Sequence, residues 1–401
     1  MYGYMLNLIS NIFLVLLFIL PFGELFRWQL NNGITITGLD FIAGIIFLFC
    51  LFQYIKNKNY IHTNLAQPIG LFILICIFSL LINIPQLQPF QLFVSSLYLF
   101  RWIALTSIYF FIANQPKKNK QHFSMLMMYS GSLFLLFGFL QYLFFNDLRP
   151  FIFAGWDEHY LRLFSTFFDP NFAGIFLVLF FLLIVHMLFK EKIKQHIYGL
   201  SILGFFTCIG IFLTLSRSAF IALILGLLTY FCLRKNKKSF SVFGIVMIFL
   251  VIAIILLGNL PTEGAHIFRI PSSHARIESF QHAITVFSRN PFFGVGFNAY
   301  RYAQHRYGFL EPVSWQASHA AAGTDNSILF ILATTGIFGL FAYGYLLYKM
   351  FRVSLFYTSE FFPVVFSSLV ALLCGSMFVN ALFYAPLIVW MWILYGLIEH
   401  T

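Results

Sequence analysis

The sequence predicts an all-α, polytopic helical bundle in the inner (cytoplasmic) membrane, with about twelve transmembrane helices. Three observations carry this prediction. Of 401 residues, 60% are hydrophobic and only 9% are charged, against about 25% charged in an ordinary soluble domain; the mean hydropathy is +0.86. Apolar runs long enough to cross about 30 Å of hydrocarbon, at about 1.5 Å per residue, recur from end to end. The lysines fall into alternate connections between these runs, which sets an orientation.

In chain order the runs cover 5–22, 38–55, 66–83, 92–114, 123–146, 172–189, 197–215, 218–233, 241–258, 327–348, 361–379 and 382–398. The first lacks a basic stretch ahead of it and a small-residue cleavage site, so it reads as a retained helix and not as a signal peptide. One set of alternate connections holds Lys56, Lys58, Lys117, Lys118, Lys120, Lys190, Lys192, Lys194, Arg234, Lys235, Lys237, Lys238, Lys349 and Arg352. That set contains every lysine and is expected to be cytoplasmic, with both termini on the same side. The longest connection, 259–326, is a large periplasmic or extracellular loop between the ninth and tenth runs. Inside it, Ser273 to Ser288 reads as an amphipathic helix with Ile277, Phe280, Ile284 and Phe287 on one face, stopped by Asn290-Pro291. No repeat or low-complexity linker divides the chain, so residues 1–401 are expected to form a single membrane domain.

A net charge of +11 would suggest nucleic acid in a soluble protein. Here the charge belongs to membrane topology, and no nucleic-acid partner is expected. The face opposite the lysines receives Arg27, Arg149, Arg162, Arg217, Arg269, Arg276, Arg289, Arg301 and Arg306, with Arg101 deeper in the fourth run. Every one of these cations is arginine. Lysine would serve solubility alone, whereas guanidinium offers a planar fork for phosphate or carboxylate and keeps its charge when partly buried. An anionic ligand on the outer side is therefore expected, with some arginines paired to outer-face acids as scaffolding.

Four short segments gather on that side. Leu215-Ser216-Arg217-Ser218-Ala219 places a charge between two runs with almost no loop; Arg217 is either functional or a cap on the preceding carbonyls. Arg269, Arg276 and Glu278 precede Pro291-Phe292-Phe293-Gly294-Val295-Gly296, whose glycines permit a tight turn against a backbone or ligand. Thr324-Asp325-Asn326-Ser327 opens the tenth run, where Asp325 or Ser327 could be an N-cap. Arg162 to Phe172 contains Asp169-Pro170-Asn171, in which Asp169 reads as a cap.

In their order and spacing these segments resemble the O-antigen ligase and O-antigen polymerase family of lipid-linked glycan transferases, over roughly residues 130–350. That family has an arginine in a Ser-Arg-Ser-type turn, a second arginine early in the large loop, and a P-x-x-G-x-G segment; Arg217, Arg276 and Pro291 to Gly296 match these. Its histidine lies eleven residues before a G-x-x-G pair, and counting back from Gly336 reaches Asp325 instead. The resemblance implies a metal-independent, cofactor-free glycosyltransferase that moves a glycan from a polyprenyl pyrophosphate carrier to an acceptor hydroxyl on a lipid A core, a growing polysaccharide or a protein. Arg217 and Arg276 would stabilise the leaving pyrophosphate, with Asp325 as the base. An aspartate of ordinary pKa, near 3.9, is a weaker base than imidazole unless burial raises it, and His319 or His305 could substitute. Arg162, Arg269, Arg301, His319, Asn326, Gly294 and Gly296 are the expected substrate-binding residues. No metal-binding motif is visible, and no metal is expected. The rival readings are a transporter or flippase for a lipid-linked glycan, which would place charges near the bilayer midplane, and a catalytically silent family member.

Overall fold

The computed structural model describes residues 2–30, 34–234, 244, 270–310, 323–356 and 360–399. Apart from Gly244, the predicted run 241–258 lies outside the described residues, as do Arg269 and His319. Among the described residues the protein is all-α apart from one small ribbon. Its helices are α1 (Tyr2–Ile19), α2 (Gly38–Lys56), α3 (Ala66–Ile82), α4 (Pro89–Ala113), α5 (Lys117–Phe144), α6 (Pro170–Lys190), α7 (Lys194–Leu213), α8 (Arg217–Arg234), α9 (Ile270–Arg289), α10 (Tyr300–Arg306), α11 (Ser327–Phe356), α12 (Phe362–Ser376) and α13 (Ala385–Ile398). Seven of them, α2, α4, α5, α6, α7, α8 and α11, are long and apolar enough to cross a membrane. Segments of α1, α3, α12 and α13 add shorter apolar helices. The ribbon pairs β1 (Arg27–Gln29) with β2 (Thr35–Thr37) antiparallel, Trp28 opposite Ile36.

Apolar helices in lipid cannot be sorted by composition, and their burial differs sharply. In α6 every residue from Ala173 to His186 is buried, and α13 is buried along its whole length. In α7 only Gly204, Thr207, Gly210 and Ile211 are buried, so most of its surface is left to lipid. Small residues bring helices together where lipid offers no hydrophobic drive: Gly226 of α8 lies against Ala371 of α12.

The same logic corrects the predicted face of α9. Ile277 and Ile284 are exposed, while Ala283 and Val286 are buried in a cluster with Val295, Tyr300, Phe330 and Ala333. Ala283 and Val286 pack inward, Ile277 and Ile284 face outward, and Phe280 and Phe287 are half-buried between them.

The two ends of the bundle have different chemistry. At the lysine-bearing end, fully buried Glu399 accepts from Tyr109 Oη at 2.9 Å and Asn64 Nδ2 at 2.8 Å, its carbonyl accepts from Lys120, and Lys190 pairs with Glu360 at 2.6 Å. At the opposite end the helix starts of α2, α6, α8, α11 and α13 surround a cavity of about 570 Å³.

Candidate active site

The cavity is assembled from four local structures, each legible in its own residues. The first is the start of α6. Asp169 caps it, with Oδ1 accepting from Asn171 N at 2.6 Å and Phe172 N at 3.3 Å. Beside it α7 ends, and Leu215 takes a left-handed φ of +52° that turns the chain directly into α8. Such a conformation costs a branched residue about 1–2 kcal/mol, and neighbouring groups hold it in place. Arg162, 4% exposed, donates from Nε to the Thr214 carbonyl at 2.8 Å and from Nη2 to the Leu215 carbonyl at 3.4 Å. Ser216 Oγ donates to Asn171 Oδ1 at 2.9 Å, tying the starts of α6 and α8 together. Arg217 is thereby the first residue of α8 and lines the cavity, where the helix dipole also favours an anion.

The second is the turn from Pro291 to Gly296, which docks on a break in α11 at Gly336 (φ 67°, ψ −164°). Val295 N and Gly296 N donate to the Ala333 and Thr334 carbonyls at 3.0 Å, and Ile337 N donates to the Pro291 carbonyl at 2.8 Å. A Cβ on Gly294 would lie 2.3 Å from the Thr334 carbonyl carbon. Ser79 of α3 and Asn83 just after it bond the same turn. This seat aims Phe297, Asn298 and Arg301 at the cavity.

The third is the start of α11. Asn326 Oδ1 accepts from Ile328 N at 2.8 Å and Leu329 N at 3.0 Å, so Asn326, and neither Asp325 nor Ser327, is the cap. Asp325 is left facing the cavity with Arg276 of α9. Burial, the larger effect, raises its carboxyl to about 6 against the opposing pull of Arg276, with Asp169 and Asp157 adding to the rise. The fourth is the N-terminal ribbon with α4, which contributes Glu24, Arg27, Tyr98 and Arg101. Arg101 Nε meets Asp40 Oδ1 at 2.6 Å, and Arg27 Nη1 meets Glu24 Oε2 at 3.0 Å.

Residues 200–344 match the O-antigen ligase family model. The similarity is to the O-antigen ligase family and covers about a third of the chain. No curated protein matches the chain. The matched stretch contains Arg217, Arg276, the Pro291–Gly296 turn and Asp325, and the apolar helices make the chain a multi-pass membrane protein.

The fold brings Arg162, Arg217, Arg276, Arg301 and Asp325 to one cavity. Gly294, Gly296 and Asn326 do not line it: the glycines meet another backbone, and the amide is spent on its cap. Arg162 lines it yet bonds the carbonyls beneath Arg217, so the guanidinium, and not Arg217 itself, holds the end of α7. His305 is exposed and outside the cavity.

Sequence reasoning missed Glu24, Tyr98, Trp156, Asp157, His159, Asn380 and Tyr384 of the lining. Asn380 carried a signal, a polar residue inside an apolar stretch; its buried Oδ1 has no hydrogen-bond partner among the described residues. Asp157, His159 and Asp169 bring one ligand atom each within 4.8 Å of one another, a spacing that could hold a cation and that no linear motif announces. One Asp169 oxygen is already engaged in the α6 cap.

Proposed function

We propose that the protein transfers a glycan from a polyprenyl pyrophosphate carrier to an acceptor hydroxyl, with inversion, on the non-cytoplasmic side of the inner membrane. The observation that supports this best is the convergence of Arg217, Arg276 and Asp325, from the starts of α8 and α11 and from α9, on one cavity of about 570 Å³, a size typical of sites that enclose a ligand. The cavity lies at the end of the bundle away from the lysines. In the proposed topology twelve helices cross the membrane, both termini are cytoplasmic, residues 1–401 form one domain, and 259–326 is the external loop.

The donor pyrophosphate sits against Arg217, Arg276 and the positive start of α8. The acceptor oxygen forms the new bond to the anomeric carbon while the bond from that carbon to the pyrophosphate oxygen breaks, and its electron pair leaves on the phosphate. Guanidinium groups in a poorly hydrated site stabilise that charge as it develops. The acceptor proton passes to Asp325, whose carboxyl near 6 is ionised at neutral pH yet basic enough to serve. Asn380 accepts a hydrogen bond from a sugar hydroxyl, and Arg162 positions the turn that carries Arg217. The polyprenyl tail lies among lipid-facing helices. No step requires a metal, and chelator-treated protein is expected to stay active; loss of activity restored by a divalent cation would direct attention to Asp157, His159 and Asp169.

The test is reconstitution of the full chain with a polyprenyl-pyrophosphate-linked oligosaccharide and lipid A core, polysaccharide and protein acceptors. Wild type is expected to transfer glycan, and Arg217→Ala and Arg276→Ala each to lose about 10²–10³-fold in kcat while remaining folded. Labelled donor crossing the membrane with no acceptor modified would establish the transporter reading instead.

A further inference from the structure

Three guanidinium groups of the cavity, those of Arg27, Arg101 and Arg301, take no part in the donor site described above. They come from β1, α4 and α10, and each is fixed separately. Asp40, which pairs with Arg101, is itself locked by a capping box: its Oδ2 accepts from Thr37 N at 2.7 Å and from Thr37 Oγ1 at 2.9 Å. Arg27 is held by Glu24 at 3.0 Å and lies over the Trp156 ring, 5.1 Å from its centroid. Arg301 follows the turn seated on α11, and burial, together with Arg27, lowers its pKa, while Tyr98 and Tyr302 oppose that. Tyr98 lies between the groups, 5.8 Å below the Arg101 guanidinium, its hydroxyl 3.1 Å from Thr35 Oγ1.

A carboxylate partner engages at most two of the five donors of a guanidinium, so paired arginines still present N–H groups to a ligand. Glu24 and Asp40 bring two negative charges against the three guanidinium groups, so this poorly hydrated wall keeps a net positive charge that suits an anion. An aromatic band adjoins this wall: Trp156 meets Phe168 edge-on at 5.1 Å, and Tyr384 stacks on Phe172 at 4.2 Å, with its hydroxyl 3.5 Å from Glu24. Flat aromatic faces between two cationic walls suit a sugar ring that carries a charge at one edge.

We propose that Arg27, Arg101 and Arg301 form a second anion subsite, distinct from the pyrophosphate site, which takes an anionic oxygen substituent on the acceptor sugar. The acceptor is then an acidic or phosphorylated glycan. The word acceptor rests on the transferase reading; the subsite does not.

The experiment uses the full-length protein in nanodiscs and measures direct binding of a neutral disaccharide, a glucuronate-containing disaccharide, a phosphorylated disaccharide and inorganic pyrophosphate. At least one acidic disaccharide is expected to bind tenfold or more tighter than the neutral one, and whichever does so distinguishes carboxylate from phosphate. Arg301→Gln should abolish this preference, Arg301→Lys should keep part of it, and pyrophosphate binding should survive Arg301→Gln but not Arg217→Ala. If Arg301→Gln does not fold, Arg27→Gln carries the same expectation. Equal binding of acidic and neutral probes, or loss of the same ligand in the Arg301 and Arg217 variants, overturns the proposal. Glycan transfer without acid preference sinks only the subsite; acid preference without transfer sinks only the transferase.

Discussion

Asp325 occupies the place where the resembling family has histidine, and its surroundings change what an aspartate can do. Burial raises its carboxyl to about 6. The base is active when ionised, so kcat/KM is expected to climb as pH rises through about 6 and then level off. Asp325→His should retain measurable transfer, and Asp325→Asn should lose about 10²–10⁴-fold. The same shift has the opposite sign for stability. Between the unfolded value near 4 and the folded value near 6 the native state holds a proton that the unfolded chain has lost, so stability falls as pH rises through this window. Asp325→Asn avoids that cost, and at pH 8 it should be more stable than wild type by on the order of 2 kcal/mol, with little difference at pH 4. Thermal melting of the detergent-solubilised proteins at the two pH values checks this; a variant less stable at pH 8 would show that the carboxylate is stabilised by its neighbours.

At the scale of elements, the break in α11 and the turn that fills it are one device. Gly336 leaves the helix, and the turn at Pro291–Gly296 supplies the missing backbone partners. Gly294 has φ +64° and no room for a Cβ against Thr334, so Gly294→Ala is expected to cost more than about 2 kcal/mol and to displace Asn298 and Arg301. Lower melting temperature together with weakened sugar binding is the expected readout; an unchanged melting temperature would mean that the two backbones can separate. The glycines were visible in the sequence as a tight turn, but what they turn against was not, since a G-x-G serves a ligand or a backbone equally well. Similarly, Thr324 to Ser327 announced a helix start without saying which side chain caps it. Only the geometry gives that task to Asn326 and leaves Asp325 to the cavity.

At the scale of the molecule, descending helices begin around the cavity and end among the lysines. A reporter active only in the cytoplasm, fused after Lys192, should be active; fused after Gly155, it should be silent, and an externally active reporter should give the reverse. The opposite pattern would put the cavity on the cytoplasmic side and remove the proposed donor from its reach.

The sequence by itself determined the membrane class, the positions of the apolar runs, the asymmetry of lysine and arginine, and the family resemblance through Arg217, Arg276 and the glycine turn. These are properties of composition, periodicity and local spacing, which the chain carries without folding. Tertiary structure alone decided that α6 is buried while α7 meets lipid, because both are apolar and only neighbours distinguish them. It likewise decided that Arg162 supports the turn bearing Arg217, and that Glu24, Arg27, Trp156, Asn380 and Tyr384 join the cavity. These residues lie far apart in the chain with no shared motif, and a site built by the packing of separate helices is written in their contacts and not in any one segment.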